Sequence, residues 1–149
     1  MSERDRLPRH IFTYGSLMFE RVWRRVVQGA YASEPGEIRG FRRLAVKDQD
    51  YPAIVADRDG GPVGGVLYRD VSPEDVARLD QFETDAYVRL TVPVFLASGN
   101  FALADAYVAT PAIMLTASAW DVSAFATGKG IERFEAGYMS LPGRLDKAG

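Results

Sequence analysis

Residues 88–96 constrain this chain more than any other stretch. Val88, Leu90, Val92, Val94 and Leu96 recur at every second position, the period of a strand with one apolar face. Pro93 falls on the opposite face; it has no N–H to donate, so it belongs near a sheet edge. Ser98-Gly99-Asn100 turns the chain, and Phe101 to Ala109 reads as the returning arm of a hairpin.

The segments around this hairpin follow no regular order. Ile11-Phe12-Thr13-Tyr14 is a short strand that stops at Gly15. Phe19, Val22, Trp23 and Val26, spaced by three and four, form the stripe of a helix over 17–27 that Gly29 ends. Residues 30–58 are β-rich, with runs at Ile38–Val46 and Ala53–Ala56. Asp59-Gly60-Gly61-Pro62 is a turn before a strand from Val63 to Arg69. Ser72 suits an N-cap, Pro73 the first helical position, and Asp75 a box-like pattern for a helix through Val76, Leu79 and Phe82. Helical pieces at Trp120–Thr127 and Ile131–Met139 close the chain. Strands and helices do not alternate as in a parallel sheet. The order predicts an α+β fold, a small mixed β-barrel with flanking helices. The 149 residues are expected to form one domain, with 1–9 a solvated arm and 141–149 a loose tail.

Composition removes several classes of function. Without cysteine there is no disulfide, thiol chemistry or cysteinyl metal site, and the single His10 excludes poly-His metal centres. A serine triad would depend on His10 alone. The 18 basic and 20 acidic residues leave a formal charge of −2, no footprint for nucleic acid or an anionic membrane. Gly99-Asn100, Asp105 and Pro111 interrupt the most apolar stretch, which is therefore not a membrane span. Met1-Ser2-Glu3-Arg4-Asp5-Arg6 is too charged for a signal peptide, so a cytoplasmic location is expected.

Two places carry potential chemistry. In Tyr14-Gly15-Ser16-Leu17 a strand ends and a helix begins. Gly15 permits a sharp turn, and amides at a helix start lack internal partners, so the loop suits a carboxylate or phosphate. The same residues also suit an ordinary strand-to-helix turn. The second place is Glu83, seven residues from Val76 and on the same apolar helix stripe, at the helix C-terminus. Burial and the helix dipole both oppose a charge there, which would raise its pKa toward that of a general acid/base. The alternative is a frayed helix end, with Glu83 in solvent or paired to Arg89. His10 reads as a surface residue. Asp48, Asp50, Asp57 and Asp59 match no calcium loop and read as turn residues. Gly60, Gly61, Gly64 and Gly65 are not a nucleotide fingerprint, since no helix follows; they mark a turn and a strand that another backbone approaches closely. The seven Tyr are scattered, as core or pocket wall.

The ordered set Tyr14-Gly15-Ser16-Leu17, Gly40-Phe41-Arg42-Arg43, Tyr51-Pro52-Ala53, Gly65-Val66-Leu67-Tyr68 and Leu79-Asp80-Gln81-Phe82-Glu83 followed by Tyr87-Val88-Arg89 resembles the gamma-glutamylcyclotransferase-like family, over about residues 11–109. The resemblance implies a small β-barrel with a pocket in which the amides of the Tyr14 to Leu17 loop hold the γ-glutamyl end of a small-molecule substrate. It places the catalytic acid/base at Glu83, with Tyr14 and Tyr87 beside the pocket, and it implies neither metal nor cofactor. The reaction would be intramolecular aminolysis, releasing 5-oxoproline and an amine. A substrate amine with a pKa of about 8 must lose a proton to attack, and one carboxylate can take that proton and return it to the leaving nitrogen. Two other readings stand beside this one: a non-catalytic binding module on the same barrel, and a different amide-cleaving enzyme for a γ-glutamyl-capped metabolite.

Overall fold

The computed structural model describes residues 6–145. Five strands close into a barrel in the order β1 (Arg9–Thr13), β5 (Val63–Val71), β2 (Ser33–Ile38), β6 (Tyr87–Leu96), β7 (Phe101–Ala109). A second sheet has the order β4 (Pro52–Ala56), β3 (Phe41–Val46), β8 (Leu115–Ala119). Helices α1 (Glu20–Val26), α2 (Pro73–Glu83), α3 (Val122–Thr127) and α4 (Gly130–Ala136) flank the sheets. The expected α+β barrel with flanking helices is the observed architecture.

Closure rests on β1, which pairs antiparallel with β5 and parallel with β7 at Ile11 and Asp105. Its side chains alternate between two cores. Phe12 points into the barrel with Ile38, Ile54, Leu67 and Val94, whereas Ile11 joins the outer core with Trp23, Tyr68, Leu79 and Phe82. Gly65 of β5 permits this seam: a Cβ there would stand 2.0 Å from the Thr13 carbonyl oxygen and 2.7 Å from the Phe12 ring. The close backbone approach expected for the glycine run is found at this position.

Several boundaries differ from the sequence reading. The run Ile38–Val46 is split into β2 and β3 at Gly40, whose φ is +84°. β2 begins at Ser33, through a Pro and a Gly that weaken any strand signal. Leu115–Ala119 forms a strand on β3, and the helix expected from Trp120 begins at Val122, behind the Asp121 cap. The apolar face of β6 is only half covered. Val92 and Val94 are buried, but Val88 and Leu90 are more than two-fifths exposed. β6 pairs with β2 only at Phe95 and Leu96, so the side of β6 that carries Pro93 opens toward an edge as expected. At the ends, Arg9 is already in β1, while Leu145 packs on the outer core and the Gly143 carbonyl accepts a hydrogen bond from Gln81. The arm over 1–5 and the tail over 146–149 lie outside the described residues. Among the described residues, no helix is long and apolar enough to cross a membrane.

The start of α2 departs from the expected box. Ser72 caps it, accepting from the Asp75 amide at 3.2 Å, but the Asp75 carboxylate reaches outward instead of back. It accepts from the amides of Gln28 and Gly29, each at 2.9 Å, from the Tyr31 hydroxyl at 2.6 Å and from Arg78 at 2.7 Å. This buried carboxylate pins the α1–β2 connection to α2. Burial works against its charge, but the hydrogen bonds outweigh burial and hold the pKa below the ordinary carboxylate value. A depressed pKa stabilises the fold at neutral pH, and that stabilisation is lost as pH falls through the depressed value. Asp75→Ala leaves buried donors unpaired and is expected to cost about 3 kcal/mol at pH 7. Urea midpoints measured at pH 7 and at pH 3 should show that difference shrinking on acidification.

Candidate active site

The end of β1 delivers one wall of a pocket. After Thr13 the chain passes Tyr14 and Gly15 into a 3-10 turn at Ser16–Met18. Gly15 is not in the left-handed region: its φ is −132°. Glycine is required there because a Cβ would meet the Pro52 ring at 2.8 Å. Three bonds fix the loop. Tyr14 donates its hydroxyl to the Tyr107 carbonyl at 2.5 Å, Arg43 donates to the Tyr14 carbonyl at 2.8 Å, and Tyr68 to the Leu17 carbonyl at 3.3 Å. The N–H groups of Gly15, Ser16 and Leu17 meet no protein acceptor among the described residues.

The last turn of α2 delivers the opposite wall. Val76, Leu79 and Phe82 are buried on one stripe, and that stripe carries Glu83 to the helix end. Thr84, at φ +70°, stops the helix there. Glu83 and Leu17 are far apart in the chain, yet Tyr14, Gly15, Ser16, Leu17, Glu83 and Tyr87 line one pocket. All six residues singled out in the sequence therefore converge. The pairing of Glu83 with Arg89 is not formed. Arg89 grips Asp80 through Nε at 3.0 Å and Asp105 through Nη1 at 2.6 Å. Among the described residues, the Glu83 carboxyl has neither an ion pair nor a hydrogen bond.

Electrostatics follow from that isolation. Glu83 keeps partial contact with solvent, but its carboxyl is enclosed by the pocket wall. Burial, with a smaller contribution from the nearby Asp80 charge, pushes its pKa up to about 8. The hydroxyls of Tyr14, Tyr51, Tyr87, Tyr107 and Tyr138 all feel the Glu83 charge, and burial first, then that charge or the charge of Asp80, raises each above the ordinary phenol value. They are neutral donors throughout the physiological range. Most already have acceptors: Tyr87 donates to the Pro52 carbonyl at 2.9 Å, Tyr107 to Asp80 at 2.7 Å and Tyr138 to the Phe82 carbonyl. The Tyr51 hydroxyl makes no hydrogen bond among the described residues, although the Tyr51 carbonyl accepts the Val46 amide at 3.2 Å.

The sequence reading did not place Tyr51, Tyr107, Phe134 or Tyr138 at the site. Tyr51 lies in the Tyr51-Pro52-Ala53 segment, but no local pattern shows which side of the sheet it faces. The helix expected over Ile131–Met139 ends at Ala136, so Phe134 lies on α4 but Tyr138 falls in a separate 3-10 turn, Tyr138–Ser140; only packing shows that the two rings, stacked at 5.2 Å, close the pocket. His10 stays outside, accepting the Asp70 amide through Nδ1 at 3.1 Å.

Comparison with known proteins gives the family and the fold. The family model described as gamma-glutamyl cyclotransferase, AIG2-like, matches residues 11–125. The chain is 30% identical to Protein AIG2 C of Arabidopsis thaliana over 94 residues, 63% of this chain and 56% of that protein. It is 30% identical to AIG2-like protein D of the same plant over 90 residues, 60% of this chain and 59% of that protein. It thus spans little more than half the length of these relatives. The barrel superposes on an Arabidopsis thaliana solution structure with a TM-score of 0.65 at 24% identity, covering 86% of this chain and 78% of the other. It superposes on a structure described as a gamma-glutamyl cyclotransferase with a TM-score of 0.60 at 18% identity, covering 93% and 94%. By the extent of the family match, the chain belongs to the gamma-glutamyl cyclotransferase, AIG2-like family.

Proposed function

We propose that this protein is a γ-glutamyl cyclotransferase acting on a γ-glutamyl amine or peptide, with Glu83 as its acid/base. The observation that carries the reading is a carboxyl with its pKa raised to about 8 that has no counter-ion among the described residues, in the same pocket as three amides that meet no acceptor among them. The amides of Gly15, Ser16 and Leu17 hold the glutamyl end of the substrate. Ionised Glu83 takes a proton from the substrate α-ammonium. The freed amine attacks the γ-carbonyl, a C–N bond forms, and the bond to the leaving nitrogen breaks. Glu83 returns that proton to the leaving nitrogen, then takes the second proton shed by the new ring nitrogen and passes it on likewise, so 5-oxoproline and an ammonium leave. A carboxyl near pH 8 matches an amine of similar pKa, so the proton passes in either direction at small cost. The walls hold the substrate in a ring-closing shape, and such orientation supplies several kcal/mol. Tyr14 and Tyr87 help to form those walls. The absence of a Glu83–Arg89 ion pair favours turnover over a binding module, because a locked carboxylate would stay ionised and inert.

Glu83→Gln keeps the side-chain shape but cannot carry the proton. It is expected to lower kcat at least about a hundredfold with substrate affinity nearly unchanged, as read by 5-oxoproline release and calorimetry; retention of more than about a tenth of wild-type kcat refutes the general-base role. The same variant has a stability signature. The folded state holds the Glu83 proton up to about pH 8, whereas the unfolded chain releases it near pH 4.3. Wild-type stability therefore falls as pH rises through that window. Glu83→Gln escapes this loss, and its Tm relative to wild type should rise between pH 4 and pH 8.

Gly15→Val drives a branched Cβ into Pro52, whereas Ser16→Ala leaves every loop amide in place. Calorimetry with 5-oxoproline is expected to show affinity lost in folded Gly15→Val and largely kept in Ser16→Ala. Unchanged affinity in Gly15→Val would reduce the loop to a structural turn.

A further inference from the structure

The first cation after Glu83 in the chain is held elsewhere. Arg89 has Nε 3.0 Å from Asp80 Oδ1, Nη2 3.3 Å from Asp80 Oδ2 and Nη1 2.6 Å from Asp105 Oδ2. Asp105 is itself fixed, by Arg9 at 2.9 Å and the Thr91 hydroxyl at 2.7 Å. All three guanidinium nitrogens are therefore occupied. Asp80 lies three residues before Glu83 on α2, so the two carboxylates are neighbours on the helix surface. Asp80 also accepts the Tyr107 hydroxyl at 2.7 Å, and the Tyr107 carbonyl accepts the Tyr14 hydroxyl. One carboxylate thus links α2 to β6, to β7 and to the loop that ends β1.

Building on the role of Glu83 proposed above, we propose that Asp80 is a positioning residue for it: Asp80 holds Arg89 away from Glu83, sets a like charge one turn behind it, and ties the Glu83 wall of the pocket to the Tyr14 wall. The other groups facing Glu83 leave this control to Asp80. Tyr14, Tyr51, Tyr87, Tyr107 and Tyr138, from five different segments, are neutral phenols. Besides Arg89, which acts on Tyr107, two cations act behind them, Arg43 on Tyr14 and Arg144 on Tyr51 and Tyr138; among the described residues none of the three forms an ion pair with Glu83.

The test is a titration of Glu83 in the full chain. Glutamate carboxyl carbons are labelled with 13C, and the Glu83 resonance is assigned by its absence in Glu83→Gln. Asp80→Asn removes the like charge and loosens Arg89, so the Glu83 midpoint should fall by about half to one pH unit. Arg89→Gln leaves Asp80 unneutralised, so the midpoint should rise. Arg89→Lys, which keeps the charge, should stay near wild type. The acid limb of kcat/KM should move with the same signs, which a purely structural role would not produce. An unmoved midpoint in Asp80→Asn, or shifts of the same sign in Asp80→Asn and Arg89→Gln, overturns the proposal. If Arg89→Gln does not fold, Asp80→Asn and Arg89→Lys decide. The shifts without 5-oxoproline from any γ-glutamyl amine would refute the cyclotransferase reading and leave the positioning role standing; turnover with an unmoved midpoint would do the reverse.

Discussion

The site depends on the way β1 closes the barrel. A single short strand bonds to β5 on one side and to β7 on the other, so its end is held where the two neighbouring edges meet. The loop that leaves it, Tyr14 to Leu17, is thereby fixed over the barrel mouth and braced by Arg43, Tyr68 and the Pro52 ring. Gly65 makes closure possible, since any side chain there would collide with the Thr13 carbonyl. A site on a rigid strand end is held more precisely than one on a free loop.

Helix α2 shows how one element gives two acids opposite character. Asp75 sits in its first turn, where the dipole favours negative charge, and accepts four hydrogen bonds. It is a structural anion. Glu83 sits at the far end, where the dipole disfavours charge, and among the described residues no donor reaches its carboxyl. Burial then raises its pKa instead of being offset. The difference lies in what each position faces: the α1–β2 connection offers Asp75 backbone amides and a phenol, whereas the pocket offers Glu83 rings whose hydroxyls mostly bond elsewhere.

Much of this could be read from the sequence. The alternation over 88–96 and the Ser98-Gly99-Asn100 turn fixed the β6–β7 hairpin, and Ser72-Pro73 fixed the start of α2, because turn and cap chemistry act over a few residues. The apolar stripe through Val76, Leu79 and Phe82 placed Glu83 on a buried face. β8 escapes a sequence reading because its alternation of Leu115, Ala117 and Ala119 with Thr116 and Ser118 spans only five mostly small residues, and the strand it pairs with lies about seventy residues earlier. The exposure of Val88 and Leu90 was equally invisible, since periodicity reports a face and not what covers it.

The sequence by itself determined the hairpin, the helix stripe that carries Glu83, the glycine at the end of β1 and the ordered motifs shared with the family. These follow from local sterics, capping and periodicity. The tertiary structure decided which partner each charge took. Arg89 lies six residues from Glu83 in sequence but is claimed by Asp80 and Asp105, and Asp105 meets it only because β6 and β7 pair in register. It also decided that Tyr51, Tyr107 and Tyr138 would gather round one carboxyl. Those choices depend on contacts between distant segments, which chain closure sets and no local pattern records.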